Sequence, residues 1–384
     1  MIDAVFLTHT AAPSGAELAT LRLLTALRAG TAVRPSALLT ADGPLVELLR
    51  ARDIPVTVQR NDFDSRSLTI AGSGPLRLVG GALELVRLGL ALGDTLRRAD
   101  ADVVVAQSTK ALLMGAVAAR RAGIPLVWQV HDRISADYFG RVLAVALRVL
   151  GRWAARGVVA NSRATLSTLA VRRRPAVVAY PGIEESAPPP RVPQRPADAV
   201  RIVMAGRLAA WKGQDVLLRA LALTAHRPAA VTLVGGAFFD EEEYRARLEE
   251  LAAALPIPVE FTGHVADPGP YLADADIAVH CSVTAEPFGQ VVVEAMRAGC
   301  AVLAADAGGP TEIVRPEVDG ILVPPGDPAA LAAALDRLAA DPALRTRLAA
   351  AAVERSRDFG IDATAAAVTG LLATVTGRRA VAAP

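Results

Sequence analysis

Arg207 and Lys212 follow an apolar run, Ile202–Ala205, that ends in Gly206. A strand that ends in glycine and leads into a helix offers backbone N–H groups and a helix N-terminus, and both suit an anion. The guanidinium of Arg207 can grip oxygens bidentately, and the Lys212 ammonium adds a mobile point charge. At about 1.5–3 kcal/mol for each charged hydrogen bond, the two would hold a diphosphate and stabilise it as it leaves. A solvated strand-to-helix turn with two basic residues fits the same fragment, and these residues alone do not choose.

A second group lies at Glu286-Pro287-Phe288-Gly289, followed after four residues by Glu294-Ala295-Met296. Pro287 and Gly289 mark a loop, and Gly289–Ala298 reads as the helix after it. Glu286 then precedes the helix and Glu294 stands inside it. Carboxylates only accept hydrogen bonds, so they suit the hydroxyls of a sugar or a ribose. The N–H groups of Phe288 and Gly289 would meet an anion at the helix start. Taken singly, each glutamate also reads as an ordinary solvated acid.

These residues need elements to hold them. From Ala4–Thr8 onward, short apolar strands alternate with helices. Strands read at Ser36–Thr40, Val56–Val58, Val103–Ala106, Leu126–Val130, Gly157–Ala160 and Ala176–Ala179. Continuous apolar strands separated by helices mean a parallel sheet covered on both faces. Residues 184–199 hold five prolines and no apolar periodicity, so they read as an interdomain linker. The alternation then resumes from Val200–Ala205, and the Ala-rich stretch from Ala343 to about Thr376 reads as helical.

The expected fold is therefore α/β: two doubly wound, Rossmann-like parallel-sheet domains facing across a cleft. The first covers 1–183 and the second 200–358. Ligands in such sheets sit beyond the carboxyl ends of the strands.

Composition narrows the function. Aromatics are 4% of the 384 residues, which leaves no basic-aromatic surface for nucleic acid. No GxGxxG follows the first strand, so a dinucleotide dehydrogenase is not expected. Cys281 and Cys300 are too few for a disulfide framework or a zinc site. Glu241-Glu242-Glu243 reads as a solvated helix face, and no metal or other cofactor is expected. The chain starts directly as a strand, and the most apolar helical stretch, Leu76 to Gly93, contains Arg77, Glu84 and Arg87. Neither export nor a membrane span is expected. Residues 1–183 carry 23 Lys/Arg against 13 Asp/Glu, a balance of +10; residues 184–384 carry 18 against 26, or −8. The basic half is expected to meet something anionic.

In order and spacing, Gly206-Arg207-Leu208…Lys212-Gly213 and Glu286-Pro287-Phe288-Gly289…Glu294-Ala295-Met296 resemble the family 4 retaining glycosyltransferases of GT-B architecture. Gly235-Gly236, Gly263-His264-Val265 and Ala307–Glu312 agree with that pattern. Ser14-Gly15-Ala16-Glu17 resembles the family's first-strand loop, with Ser14 where a glycine is usual, so Gly15 is left to approach the donor diphosphate. His131, in Trp128-Gln129-Val130-His131-Asp132, matches the family's active-site histidine.

The resemblance implies transfer of a sugar from a nucleoside-diphosphate donor to an acceptor, with retention and without a metal. Arg207, Lys212 and the Gly206 backbone would bind the diphosphate, Glu286 the sugar and Glu294 the ribose. Val265 would meet the base, and His131 the sugar and acceptor. It also implies that a C-terminal helix, about 359–384, packs back on the first domain.

A sugar-nucleotide epimerase and a non-catalytic nucleotide-sugar-binding protein are the alternatives. The acceptor, a glycan, lipid or small metabolite, is not identified by any motif; the basic half would repel a polycationic one unless local acids such as Asp62, Asp64 or Asp137 line its pocket. Arg141, Arg148, Arg152 and Arg156 share one helical face beside Val142, Val145, Val149 and Trp153. That pattern fits contact with an anionic membrane. It fits equally a helix with its apolar side in the core. A cytoplasmic enzyme, peripheral to the membrane's inner face in the first case, is the expectation.

Overall fold

The computed structural model describes residues 1–60, 75–171, 173–184, 195–237 and 241–378, with backbone alone for 75–82. Asp62, Asp64, Arg172 and most of the proline-rich stretch, 185–194, lie outside the described residues. The chain divides into two units, Met1–Glu184 with Ile361–Pro384, and Glu185–Gly360.

The first unit is a parallel sheet of β1 (Ile2–Thr8), β2 (Val33–Leu39), β3 (Val56–Val58), β4 (Val103–Ala106), β5 (Leu126–Val130), β6 (Gly157–Ala160) and β7 (Ala176–Val178). Its spatial order is β3-β2-β1-β4-β5-β6-β7. The helices are α1 (Gly15–Ala29), α2 (Pro44–Arg50), α3 (Pro75–Arg98), α4 (Thr109–Ala122), α5 (Ala136–Phe139), α6 (Arg141–Ala154) and α7 (Arg163–Ser167). Strand residues alternate between two buried layers although the run is apolar throughout. Phe6, Val103 and Val105 pack with the leucines of α1 and α2. Val5, Leu7, Val104 and Ala106 pack against α3, α4 and α6. Each fully buried Val or Leu contributes about 1.5–3 kcal/mol.

The second unit repeats the plan with β8 (Arg201–Ala205), β9 (Ala230–Val234), β10 (Val259–Phe261), β11 (Ile277–His280), β12 (Ala301–Ala305) and β13 (Ile321–Val323). All pairs are parallel, in the order β10-β9-β8-β11-β12-β13. Helices α8 (Gln214–Leu223), α9 (Glu242–Ala253), α10 (Gly269–Ala273), α11 (Gln290–Ala298), α12 (Pro310–Ile313), α13 (Pro328–Ala340) and α14 (Pro342–Ser356) cover it.

The helical stretch expected from Ala343 to about Thr376 is two helices. After α14 a short 3-10 turn, Arg357–Phe359, and Gly360 intervene before α15 (Ile361–Thr376). Phe359 is buried, with its ring centroid 5.9 Å from that of Phe288. Alanine permits helix everywhere, so an anchored aromatic decides where the run stops. α15 belongs to the first unit, where Val368, Leu371 and Leu372 join the core of α1 and α2. Gly182 fits against its start: a Cβ there would lie 2.4 Å from the Ile361 Cα.

Candidate active site

In the second sheet the strand order reverses between β8 and β11, and the carboxyl ends of these strands form the ligand crevice of such folds. β8 does not turn straight into a helix. Gly206, at φ 149°, opens a connection through a 3-10 turn, Ala210–Lys212, to Gly213, where α8 starts. Gly213 sits at φ 80°, and a Cβ on it would lie 2.2 Å from the Cys281 carbonyl oxygen, so only glycine fits. The Gln214 amide donates to the Arg207 carbonyl at 2.8 Å and fixes the Arg207 turn.

Lys212 and Glu286 meet directly: Nζ lies 2.6 Å from Oε1, and the two side chains are only 14% and 12% exposed. The second carboxylate oxygen accepts from Ser282 Oγ at 2.8 Å and lies 2.5 Å from His280 Nε2. His280 ends β11 and is buried, as is Ser282. Burial raises the Glu286 pKa, but Lys212 and His280 together more than offset it and hold the carboxyl far below its ordinary range. Glu286 is therefore ionised and accepts hydrogen bonds only. Its backbone is clamped as well, because Gly309 N–H donates to its carbonyl at 2.8 Å. Gly308 leaves no room beside it: a Cβ would lie 2.2 Å from that oxygen.

The other expected residues are distributed around this pair. Arg207 is ion-paired with Glu241 at 3.4 Å. Glu294, half-buried on α11, accepts from Gln290 Nε2 at 2.7 Å. Gly289 opens α11 at φ 94°. The Phe288 side chain is buried. Val265 lies on the loop after β10, which is tied to the end of β9 by a Gly235–Gly263 bridge.

Three residues escaped the sequence reading. His280 and Ser282 sit inside an apolar strand end, where a lone histidine looks structural; their position just before Glu286 was the available signal. Glu241 precedes α9 and is 19% exposed, unlike the solvated face expected of it.

The first unit reverses its strand order at β1 and β4, and its strand ends carry a neutral network. Gln107, after β4, accepts from Thr20 Oγ1 at 2.8 Å and donates to Gln129 Oε1 at 3.1 Å. His131, at the end of β5, lies 3.2 Å through Nε2 from Gln107 Oε1, so that nitrogen carries the proton. Burial lowers the His131 pKa to about 4. Burial and then Lys110 lower that of His9, after β1, to about 4. Asp132 is raised, by burial first and then by Glu17, while Tyr138 opposes the rise. Gly15 starts α1 with open space where a Cβ would stand, and the preceding Ser14 hydroxyl donates to Glu17.

Among the described residues no group of three or more His, Cys, Asp or Glu side chains is placed to hold a metal ion. No helix among them is long and apolar enough to cross a membrane. Cys281 and Cys300 are buried thiols that burial pushes up to about 12.

Residues 190–355 match the family model described as glycosyl transferases group 1, and residues 39–187 match that of glycosyltransferase family 4. D-inositol 3-phosphate glycosyltransferase of Thermomonospora curvata is 33% identical over 304 residues, 69% of each chain. D-inositol 3-phosphate glycosyltransferase 1 of Catenulispora acidiphila is 32% identical, over 75% of this chain and 76% of that one. Among solved structures, Anabaena Alr3699/HepE in complex with UDP and glucose is 28% identical, with a TM-score of 0.80 over 97% of this chain and 100% of that one. Sucrose-phosphate synthase from Thermosynechococcus elongatus, at 21% identity and a TM-score of 0.78 over 98% and 100%, shares the fold. The chain belongs to the family 4 glycosyltransferases of GT-B architecture.

Proposed function

We propose that this glycosyltransferase moves a hexose from UDP onto an acceptor hydroxyl, with retention of anomeric configuration and without a metal ion. The observation that carries the reading is the Lys212–Glu286 pair at the switch point of the second sheet. One cation and one obligate acceptor stand side by side, the complement of a phosphate joined to a sugar. The UDP, UDP–glucose and UDP-plus-glucose complexes of HepE support uridine as the base.

Lys212 has two ammonium hydrogens beyond the one directed at Glu286, and these, with Arg207 and the Gly206 backbone, bind the diphosphate. Glu286 takes sugar hydroxyls, Glu294 takes the ribose, and the Val265 backbone meets the base. The backbones of Phe288 and Gly289 complete the anion contacts. The C1–O bond to the phosphate breaks as the acceptor oxygen bonds to C1 on the same face. The acceptor's proton passes to the leaving phosphate. Arg207 and Lys212 supply positive charge where charge develops, the role a divalent ion plays elsewhere. His131, neutral at pH 7, contacts the transferred sugar as an uncharged imidazole.

Slow hydrolysis of UDP-glucose, followed by proton NMR with excess EDTA present, tests this without knowledge of the acceptor. The first glucose released is expected to be the α anomer. A β anomer, or loss of the reaction with EDTA, would overturn retention or metal independence respectively.

A further inference from the structure

On α6, Val142, Val145, Val149 and Trp153 share one face and are 87%, 55%, 49% and 76% exposed. The helix's other side is the buried one: Ala144, Leu147 and Gly151 face the core, and Gly151 lies flat against the Trp128 ring. The Val–Trp stripe is therefore not core, and it is apolar surface that the described residues of the first unit leave uncovered. α3, in the same helical layer, exposes Leu83, Val86 and Leu90 on its own outer side.

Charge selects the occupant. Residues 138–183 contain eight arginines and no acid. Arg141, Arg152 and Arg156 are exposed, and none has an ion-pair partner among the described residues. A second copy docked on this face by two-fold symmetry would set those arginines against their own equivalents. A surface of lipid phosphates would neutralise them, while valines and an indole suit the headgroup boundary.

We propose that α6 and the outer side of its layer dock on the anionic surface of a lipid bilayer. The stripe enters the headgroup region and the arginines lie on lipid phosphates. β5 leads through His131 and the short α5 into α6, so the docking face follows in the chain the strand end that carries His131.

Sedimentation with vesicles of phosphatidylcholine, alone or mixed with phosphatidylglycerol, tests the proposal on the full chain. Binding is expected to the mixed vesicles only, and to be lost at about 0.5 M salt. Each arginine contributes about fivefold, so Arg141→Gln/Arg152→Gln/Arg156→Gln is expected to weaken binding about a hundredfold. Val149→Ser/Trp153→Ser is expected to abolish it. Both variants are expected to keep the wild-type Tm and the wild-type hydrolysis of UDP-glucose in solution. Equal binding to neutral vesicles would overturn the charge argument, and no binding would overturn the proposal. A dimer in light scattering that Val145→Glu dissociates would assign the stripe to a second copy instead.

Discussion

At the carboxyl ends of β8 and β11, Lys212, Glu286, His280 and Ser282 form a charged cluster in which every contact is short and mostly buried. From α1 and the ends of β4 and β5, Thr20, Gln107, Gln129 and His131 form a chain of neutral hydrogen bonds. The two sheets share a topology and differ in what they display at the same topological place. Charge suits recognition of a diphosphate, and a neutral, partly dry surface suits a sugar and an acceptor hydroxyl. One fold can thus present two different chemistries at equivalent strand ends.

The largest effect expected from breaking this contrast is that of Lys212→Ala. Turnover should fall by about 10²–10³-fold, the usual cost of one preorganised charge-stabilising group. Glu286 is then left buried without its nearest cation, so its pKa should rise. Steady-state rates against pH would show the acid limb moving upward; an unmoved limb would mean that Lys212 does not set the Glu286 charge.

His131→Ala should lower kcat by about a hundredfold and leave the UDP affinity within about twofold. Parallel loss of both would erase the division between the two units.

Gly308→Ala forces a Cβ into the Glu286 carbonyl at φ 70°, and is expected to cost about 1–3 kcal/mol in denaturant unfolding. It should weaken UDP-sugar binding more than UDP binding, because Glu286 moves and the diphosphate contacts do not. Equal weakening would detach Glu286 from the sugar.

The units should also respond differently to acid. His9 and His131 have folded pKa values of about 4 against 6.5 unfolded. Their contribution is complete above pH 6.5 and is lost as pH falls from 6.5 to 4. Asp132, raised, works the other way, adding stability as pH falls through its folded value. Glu286, lowered from 4.5, contributes above pH 4.5 and loses that only below it. Between pH 7 and 5, hydrogen exchange should show β1 and β4 amides losing protection while those of β8 and β11 hold. Equal losses would contradict the contrast.

The smallest effect belongs to Glu241→Ala. Its pair with Arg207 is long and the guanidinium is one-third exposed, so unfolding should change by less than about 1 kcal/mol. UDP affinity should improve slightly as a negative charge beside Arg207 is removed.

The contrast also explains what the sequence revealed. Strands such as Val103–Ala106 and Ile277–His280 were legible because parallel, doubly covered strands are continuous apolar runs between turns. Lys212 and Glu286 stood out through the order and spacing of two motifs that resemble a family. Taken singly, each also read as a solvated charge, and their pairing appears only in the fold. The neutral half offered that signal at His131 alone: Gln107 and Thr20 are ordinary residues until the fold brings them together.

Other features were hidden because local preference was satisfied more than once. The Ala-rich C-terminal stretch accepts helix throughout, so its break at Arg357–Gly360 depends on where Phe359 is anchored. On α6 both faces are apolar, Leu143 and Leu147 on one and Val145 and Val149 on the other. Periodicity could not say which one the core would take.

Calorimetric titration of UDP into the wild type, Lys212→Ala and His131→Ala tests the central claim most directly. Micromolar binding that falls at least about tenfold in Lys212→Ala and is retained in His131→Ala is the predicted result. Wild-type affinity in Lys212→Ala, or its loss in His131→Ala, would place the donor diphosphate away from the charged strand ends of the second unit and contradict the account.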